Sequence, residues 1–419
     1  MKSLFFRSKN IAALLFALPL LLSACDTSEV PTKSLPVDMS SAGLAILSSD
    51  YTSGSLSLYD PAKATLLHDD CIHSGQSSLT QKLSGDLTLP TQADPLGHEI
   101  VVIDREFSTL NFVNPATCGV RSQVSVSTGF KANPHDVIRI RANKAYVTRY
   151  ETNFAATAVA EDLDDGNDVL VIDPSTGQRL ARIDLTGEAT GEEGVLARPD
   201  RGILVNDRVY LTLGNLSAHF SKAGPGRVLV IDSVTDSVVE RIDLPQQKGC
   251  SGIEYVAAAK KLYVVCGGSW ADGPTQVDES ALVEIDLAGA SPVLGRVYSS
   301  HDLGIGVLNF SYVAVSGGTA FVSQLGNFPD AASNTPGTSD VLYAVNLASG
   351  AAQPVFNGGA SNLGRAAVSV DAKRLFLPDG DFTAPKVRVF DVSTETPVAG
   401  VDFNANPNGG LPPREVAIY

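Results

Sequence analysis

The chain has 419 residues and a formal net charge of −15, which excludes nucleic acid as a natural partner, because phosphate contact needs a basic face. Its 37 Gly and 23 Pro, with abundant Val, Leu, Ile and Thr, suit many short strands joined by many turns. The length admits one large domain or two ordinary ones, and an acidic surface of this kind keeps an exported protein soluble.

The N-terminus reads as an address. Lys2, Arg7 and Lys9 form a basic start, and residues 11–22 form an apolar run. That run is too short to span a bilayer and suits the hydrophobic region of a signal peptide. It ends in Leu22-Ser23-Ala24-Cys25, which resembles the bacterial lipobox. The resemblance implies a signal peptide over 1–24, cleavage before Cys25, and acylation of its thiol and new amine, with palmitate among the chains. Several acyl chains anchor a protein stably. Residues 25–41 are polar with two Pro and read as a lipidated flexible tether. Asp26 follows the lipobox Cys, a position that resembles an inner-membrane retention signal in enterobacterial lipoproteins. The expected location is the cell envelope: the outer membrane or the periplasmic face of the inner one, with the lipid bilayer as partner.

From residue 42 the chain repeats. Segments 54–60, 108–114, 168–173, 227–232, 281–286, 340–346 and 386–391 share an apolar strand closed by Asp or Asn. Their closing residues fall 45 to 60 positions apart. A period near fifty with only strand and turn content predicts a β-propeller. Each of these third strands (C) follows a second strand (B), at 43–47, 99–103, 144–148, 208–212, 261–265, 319–323 and 374–378. First strands (A) are expected at 136–140, 201–205, 252–256, 310–314 and 365–369, with a weaker one near 86–91. A fourth strand (D) follows C, as at 179–184. The runs are nearly continuous in apolar residues, the pattern of strands covered on both faces. Pro174-Ser175-Thr176-Gly177 after Asp173 makes a tight turn, so the repeated Asp or Asn is a turn device before it is a chemical group.

No strand A precedes residue 43, and the chain stops on one, at 411–419. The expected fold is therefore all-β: a single domain, 42–419, of seven four-stranded antiparallel blades, closed when the C-terminal strand joins the first blade. Closure removes exposed edges. The motifs Asn133-Pro134-His135-Asp136-Val137, Lys144-Ala145-Tyr146-Val147-Thr148 and Val169-Leu170-Val171-Ile172-Asp173 resemble the YVTN-type propellers of bacterial exported proteins, across essentially all of 42–419. That resemblance implies the fold and says almost nothing of activity.

Removing Cys25 leaves Cys71, Cys118, Cys250 and Cys266, an even number for an oxidising compartment. Cys250 opens one strand and Cys266 ends the next, so a turn near 258–260 sets them opposite each other within disulfide reach. Cys71 and Cys118 then pair across neighbouring repeats. A metal site is the rival reading, although no Cys-x-x-Cys or nearby His supports it.

The B–C loops of blades 3 to 6, within 150–167, 215–226, 267–280 and 326–339, are long and gather on one face, the usual place for binding on a rigid scaffold. The same face receives the starts of the A strands. The candidate ligand-binding residues at this channel mouth and its loops are His135, Arg149, Tyr150, Arg198, Asn215, His219, Trp270, His301, Asn327, Arg365 and Arg414. Arginine forks suit an anionic or carboxylate-bearing ligand, and each Arg has the alternative of pairing with an acid of the next blade. His135, His219 and His301 share the face; three His can bind a metal or act as general base, although their spacing is irregular and each has the alternative of a loop hydrogen bond, and a loop Trp suits stacking on a planar or sugar-like ligand. Asp162, Asp164 and Asp168 lie in a run similar to a calcium loop, with its Gly out of place. Calcium is thus the sole candidate cofactor, and none is otherwise expected. There is no nucleophile elbow, phosphate loop, dinucleotide fingerprint or zincin helix.

The leading expectation is a non-catalytic, membrane-anchored, monomeric propeller that binds a small molecule or an envelope protein on its long-loop face. One concrete form is similar to the propeller lipoproteins that capture corrinoids or metal chelates for uptake. The alternatives are a lactonase- or lyase-like hydrolase using the His and carboxylates, with or without a divalent ion, and a periplasmic scaffold for protein complexes.

Overall fold

The computed structural model describes residues 43–419, apart from 95, 97–98, 155–165, 328–336 and 360–361. The expected signal peptide, Cys25 and the expected tether lie outside the described residues, as do Asp162 and Asp164. Everything below concerns the described residues of the compact unit Pro36–Tyr419.

Seven four-stranded antiparallel sheets follow one another along the chain. Blade 3 has the plainest form, with strands Pro134–Arg141, Lys144–Thr152, Gly166–Asp173 and Gln178–Asp184 in order from the inside outward. The first blade has mixed origins. Its inner strand is Pro413–Ile418, which pairs antiparallel with Leu44–Ser49. The expected closure therefore holds.

The C–D turns explain the spacing of the repeat. Asp60, Asn114, Asp173, Asp232, Asp286, Asn346 and Asp391 each accept the backbone N–H two residues on, at 2.7–3.1 Å. A short side-chain acceptor closes the turn locally and tolerates its geometry. The middle strands are mostly buried; Gly166–Asp173 is buried along all but its last residue. The outermost strands depart from the expected double burial: Gln178–Asp184 is exposed over its first four residues. They form the rim, where charges and mixed patterning protect an edge.

The core is divided rather than single. Seven clusters of buried apolar residues occupy the seven interfaces between neighbouring blades. Val228, Val230 and Ile242 of blade 4, for instance, pack on Ile253, Val264 and Val283 of blade 5. The cluster around Leu44, Ile46 and Val389 joins the last blade to the first, so the ring closes by packing as well as by hydrogen bonds.

Both disulfides form as expected. Cys250 and Cys266 are direct cross-strand partners with Cα atoms 3.9 Å apart. Cys71 and Cys118 link blade 1 to blade 2 with Cα atoms 5.0 Å apart.

Blade 2 has a shape that periodicity did not foretell. Its inner strand is only Leu87–Thr88. The chain then leaves the sheet and crosses the central channel. Arg201 of blade 4 and Arg365 of blade 7 both donate to Leu89 O at 2.9 Å, and Arg365 also holds the carbonyls of Pro90 and Thr91. Glu415 of blade 1 accepts from Thr88 Oγ1 at 2.8 Å and from Leu89 N at 2.9 Å. Asp136 of blade 3 accepts Thr91 N, and the Gln92 amide pairs with the backbone of Leu204. Residues 88–92 thus plug the channel, with their irregular backbone satisfied by side chains from four blades.

Candidate functional site

Each A strand starts, and each B strand ends, on one face. The plug makes that end of the channel a cup rather than a pore. Its cavity of about 710 Å³ is lined by blades 1, 2, 5, 6 and 7, within the range of small-molecule sites. Leu87, Arg365 and Glu415 line it beside the plug, and Trp270, Tyr51, Asn327 and Arg414 belong to its wall.

The loops that build the wall are tied down. In blade 5, Ser269 caps the short helix Trp270–Thr275, and Lys248 bridges to Asp272 at 2.9 Å and Glu279 at 2.6 Å. Trp270 is presented from this frame and is 65% exposed. In blade 6, buried Asp340 accepts the N–H of Gly326 at 2.7 Å and of Leu363 at 2.9 Å. It thereby fixes the loop carrying Asn327 to the start of blade 7. Burial pushes its carboxyl above the ordinary range. Gly364 is required where blades 7 and 1 touch, since a Cβ there would lie 2.0 Å from the carbonyl of Arg414.

Three arginines meet the cavity in different states. Arg105 pairs with Asp86. Arg365 is deeply buried and spent on the plug, 3.8 Å from Glu415. Arg414 gives only its Nε, to Ser49 O at 3.0 Å, and its buried Nη2 has no partner. The guanidinium carbon lies 4.6 Å from the Tyr51 ring and 5.1 Å from that of Phe382. Burial lowers the Arg414 pKa.

Of the eleven candidate residues, the structure brings Trp270, Asn327, Arg365 and Arg414 into one cavity. The others lie elsewhere. Arg149 is fully buried and bound to Asp168, with Nε donating to Oδ1 at 2.7 Å. This pairing also engages the one described member of the calcium-like run. Arg198, equally buried, pairs with Glu151 at 2.9 Å and holds the blade 4 loop through the carbonyls of Leu216, Ser217 and Ala218. Asn215 is buried and anchors the same loop to Thr190 N and Pro225 O. His135 stacks on Tyr150 with ring centroids 4.1 Å apart and bonds Asp200 through Nδ1 at 2.7 Å; burial depresses its pKa despite that acid. His219 is exposed on the blade 4 loop, and His301 is exposed on the helix Ser300–Leu303. Among the described residues, no three His, Cys, Asp or Glu side chains are grouped to hold a metal.

Sequence reasoning missed the other aromatic residues of this face. Every exposed large aromatic side chain among the described residues sits in a B–C loop: Tyr51, Phe107, Phe154, Phe220, Trp270 and Phe382, one from each of six blades. Aligning the loops rather than the strands would have shown it, because each carries one aromatic residue among polar ones.

No protein-family model and no curated protein matches the chain. Solved structures resemble it in fold. A putative 6-phosphogluconolactonase from Bacteroides uniformis is 11% identical, with a TM-score of 0.55, over 90% of this chain and 99% of that one. The β-propeller domain of Cps50 from Myceliophteria thermophila is 10% identical, with a TM-score of 0.55, over 84% and 98%. Hydrazine synthase from Kuenenia stuttgartiensis is 16% identical, with a TM-score of 0.50, over 76% and 80%. At such identities the likeness is one of architecture, and this architecture carries many unrelated functions.

Proposed function

We propose that the protein is an exported, lipid-anchored propeller of YVTN type that captures a small molecule in the cup at its channel mouth. The observation that carries this reading is the cavity of about 710 Å³ above a plugged channel, walled by loops that are individually braced. A braced cup keeps the ordering cost of binding low. The exposed aromatic residues around it offer apolar contact without a polar desolvation cost. Leu44 begins its strand on the opposite face, where it pairs with Ile418 at the end of the C-terminal strand.

Native mass spectrometry of the protein purified from its own membranes tests this reading. A co-purifying small molecule supports it. If nothing co-purifies, and a screen of metals and small ligands leaves the melting temperature unmoved, the capture reading fails. The hydrolase alternative rests on fold likeness to a putative lactonase; turnover of a lactone substrate by the purified protein would establish it instead.

A further inference from the structure

The cations of the cup are not equivalent. Arg105 has Asp86, and the terminal nitrogens of Arg365 are taken up by the plug carbonyls. Arg414 has no carboxylate within ion-pair distance among the described residues, and neither terminal nitrogen has a hydrogen-bond partner there. Asp50 acts on it electrostatically without pairing, and leaving a partly desolvated guanidinium short of hydrogen bonds is costly. The rings of Tyr51 and Phe382 hold the ion but cannot replace hydrogen bonds. They leave Nη1 open, while Nη2 is sealed from solvent. Gly380 keeps Nη1 clear, because a Cβ there would lie 2.7 Å from it. Trp270 supplies a further exposed aromatic surface in the same cavity.

We propose that Arg414 is the anion anchor of the cup, and that the ligand is a flat conjugated molecule bearing a carboxylate. The carboxylate accepts a charge-assisted hydrogen bond from Nη1 of Arg414, and the conjugated body lies among Tyr51 and Trp270. This assignment rests on the reading of the cup as a ligand site and specifies what it holds.

Trp270 is the sole tryptophan of the chain, so intrinsic fluorescence reports occupancy directly. The probes are anthraquinone-2-carboxylate and the neutral anthraquinone-2-carboxamide, titrated by quenching and by calorimetry. Wild type should prefer the carboxylate by about tenfold or more, the scale of a hydrogen bond to a charged group. Arg414→Gln should bring the two probes within about twofold while retaining affinity for the amide. Arg414→Lys, which keeps the charge and places its donor differently, should fall between. Amide binding serves as the folding control, and if Arg414→Gln does not fold, Arg414→Lys decides. Equal binding of both probes to wild type, or a carboxylate preference that survives in the variants, overturns the anchor and leaves the cup as a ligand site. If neither probe quenches Trp270, the flat carboxylate ligand is overturned, and the cup reading is decided by mass spectrometry.

Discussion

Arg149 and Arg414 are the same side chain in opposite circumstances. Arg149 has no exposure and a doubly bonded carboxylate in Asp168, so its charge serves the fold. Removing one partner of a buried pair strands the other; Arg149→Met or Asp168→Leu should cost about 3–5 kcal/mol, measured by denaturant unfolding. The double variant Arg149→Met/Asp168→Leu should recover most of that loss. Full additivity of the single effects would show that the pair is not coupled. Glu254 makes a different prediction. Its carboxyl lies inside the channel beside a cavity of about 120 Å³, and burial raises it from 4.5 to about 7, with Arg365 pulling the other way. Because the folded state holds this proton more tightly than the unfolded state, the group costs nothing below pH 4.5. The cost grows as pH rises from 4.5 to 7 and is complete above 7. Glu254→Gln should therefore raise the melting temperature at pH 8 and leave it unchanged at pH 4, with a ceiling of about 3 kcal/mol. A gain that is the same at both values would refute the assignment.

At the scale of elements, the turn and the disulfide act locally and the plug acts at long range. The seven Asp and Asn turn acceptors were legible because each bonds a backbone two residues away. Cys250 and Cys266 were legible because a hairpin sets partners by counting from its turn. Closing loops of 16 and 47 residues should stabilise by about 3 and 4 kcal/mol respectively through the unfolded chain. Cys71→Ser/Cys118→Ser should thus lower the melting temperature more than Cys250→Ser/Cys266→Ser, in calorimetry under oxidising conditions. The plug was not legible. Leu89-Pro90-Thr91 is held by Arg201, Arg365 and Glu415, which are 112 to 326 residues away. No local pattern encodes a contact of that range, and a two-residue strand gives no periodicity to read.

The whole molecule depends on closure. Pro413–Ile418 completes blade 1 and carries both Arg414 and Glu415. Deleting 411–419 should expose the edge of Leu44–Ser49, release the plug and remove the anion anchor together. The expected result is aggregation on expression, and a soluble, monomeric truncated protein would contradict it. A gentler variant addresses location: Cys25→Ala should move the protein from the membrane fraction to the soluble fraction, with quenching of Trp270 by the carboxylate probe unchanged. The acidic surface, at −15 overall, suits a protein kept soluble at an aqueous membrane face.

What the sequence determined by itself was whatever repeats or acts over short range. Blade number, strand order, closing strand, both disulfides and the face bearing the long loops all follow from a period near fifty residues and the pattern of apolar runs. That same register placed eleven residues on one face, and tertiary structure separated them. Arg149, Arg198 and Asn215 were drawn into ion pairs and loop anchors because partners stood within reach, whereas Arg414 was left between two rings with only the Ser49 carbonyl on its Nε. Such sorting depends on which side chains of different blades meet, and in a ring those partners can be hundreds of residues apart.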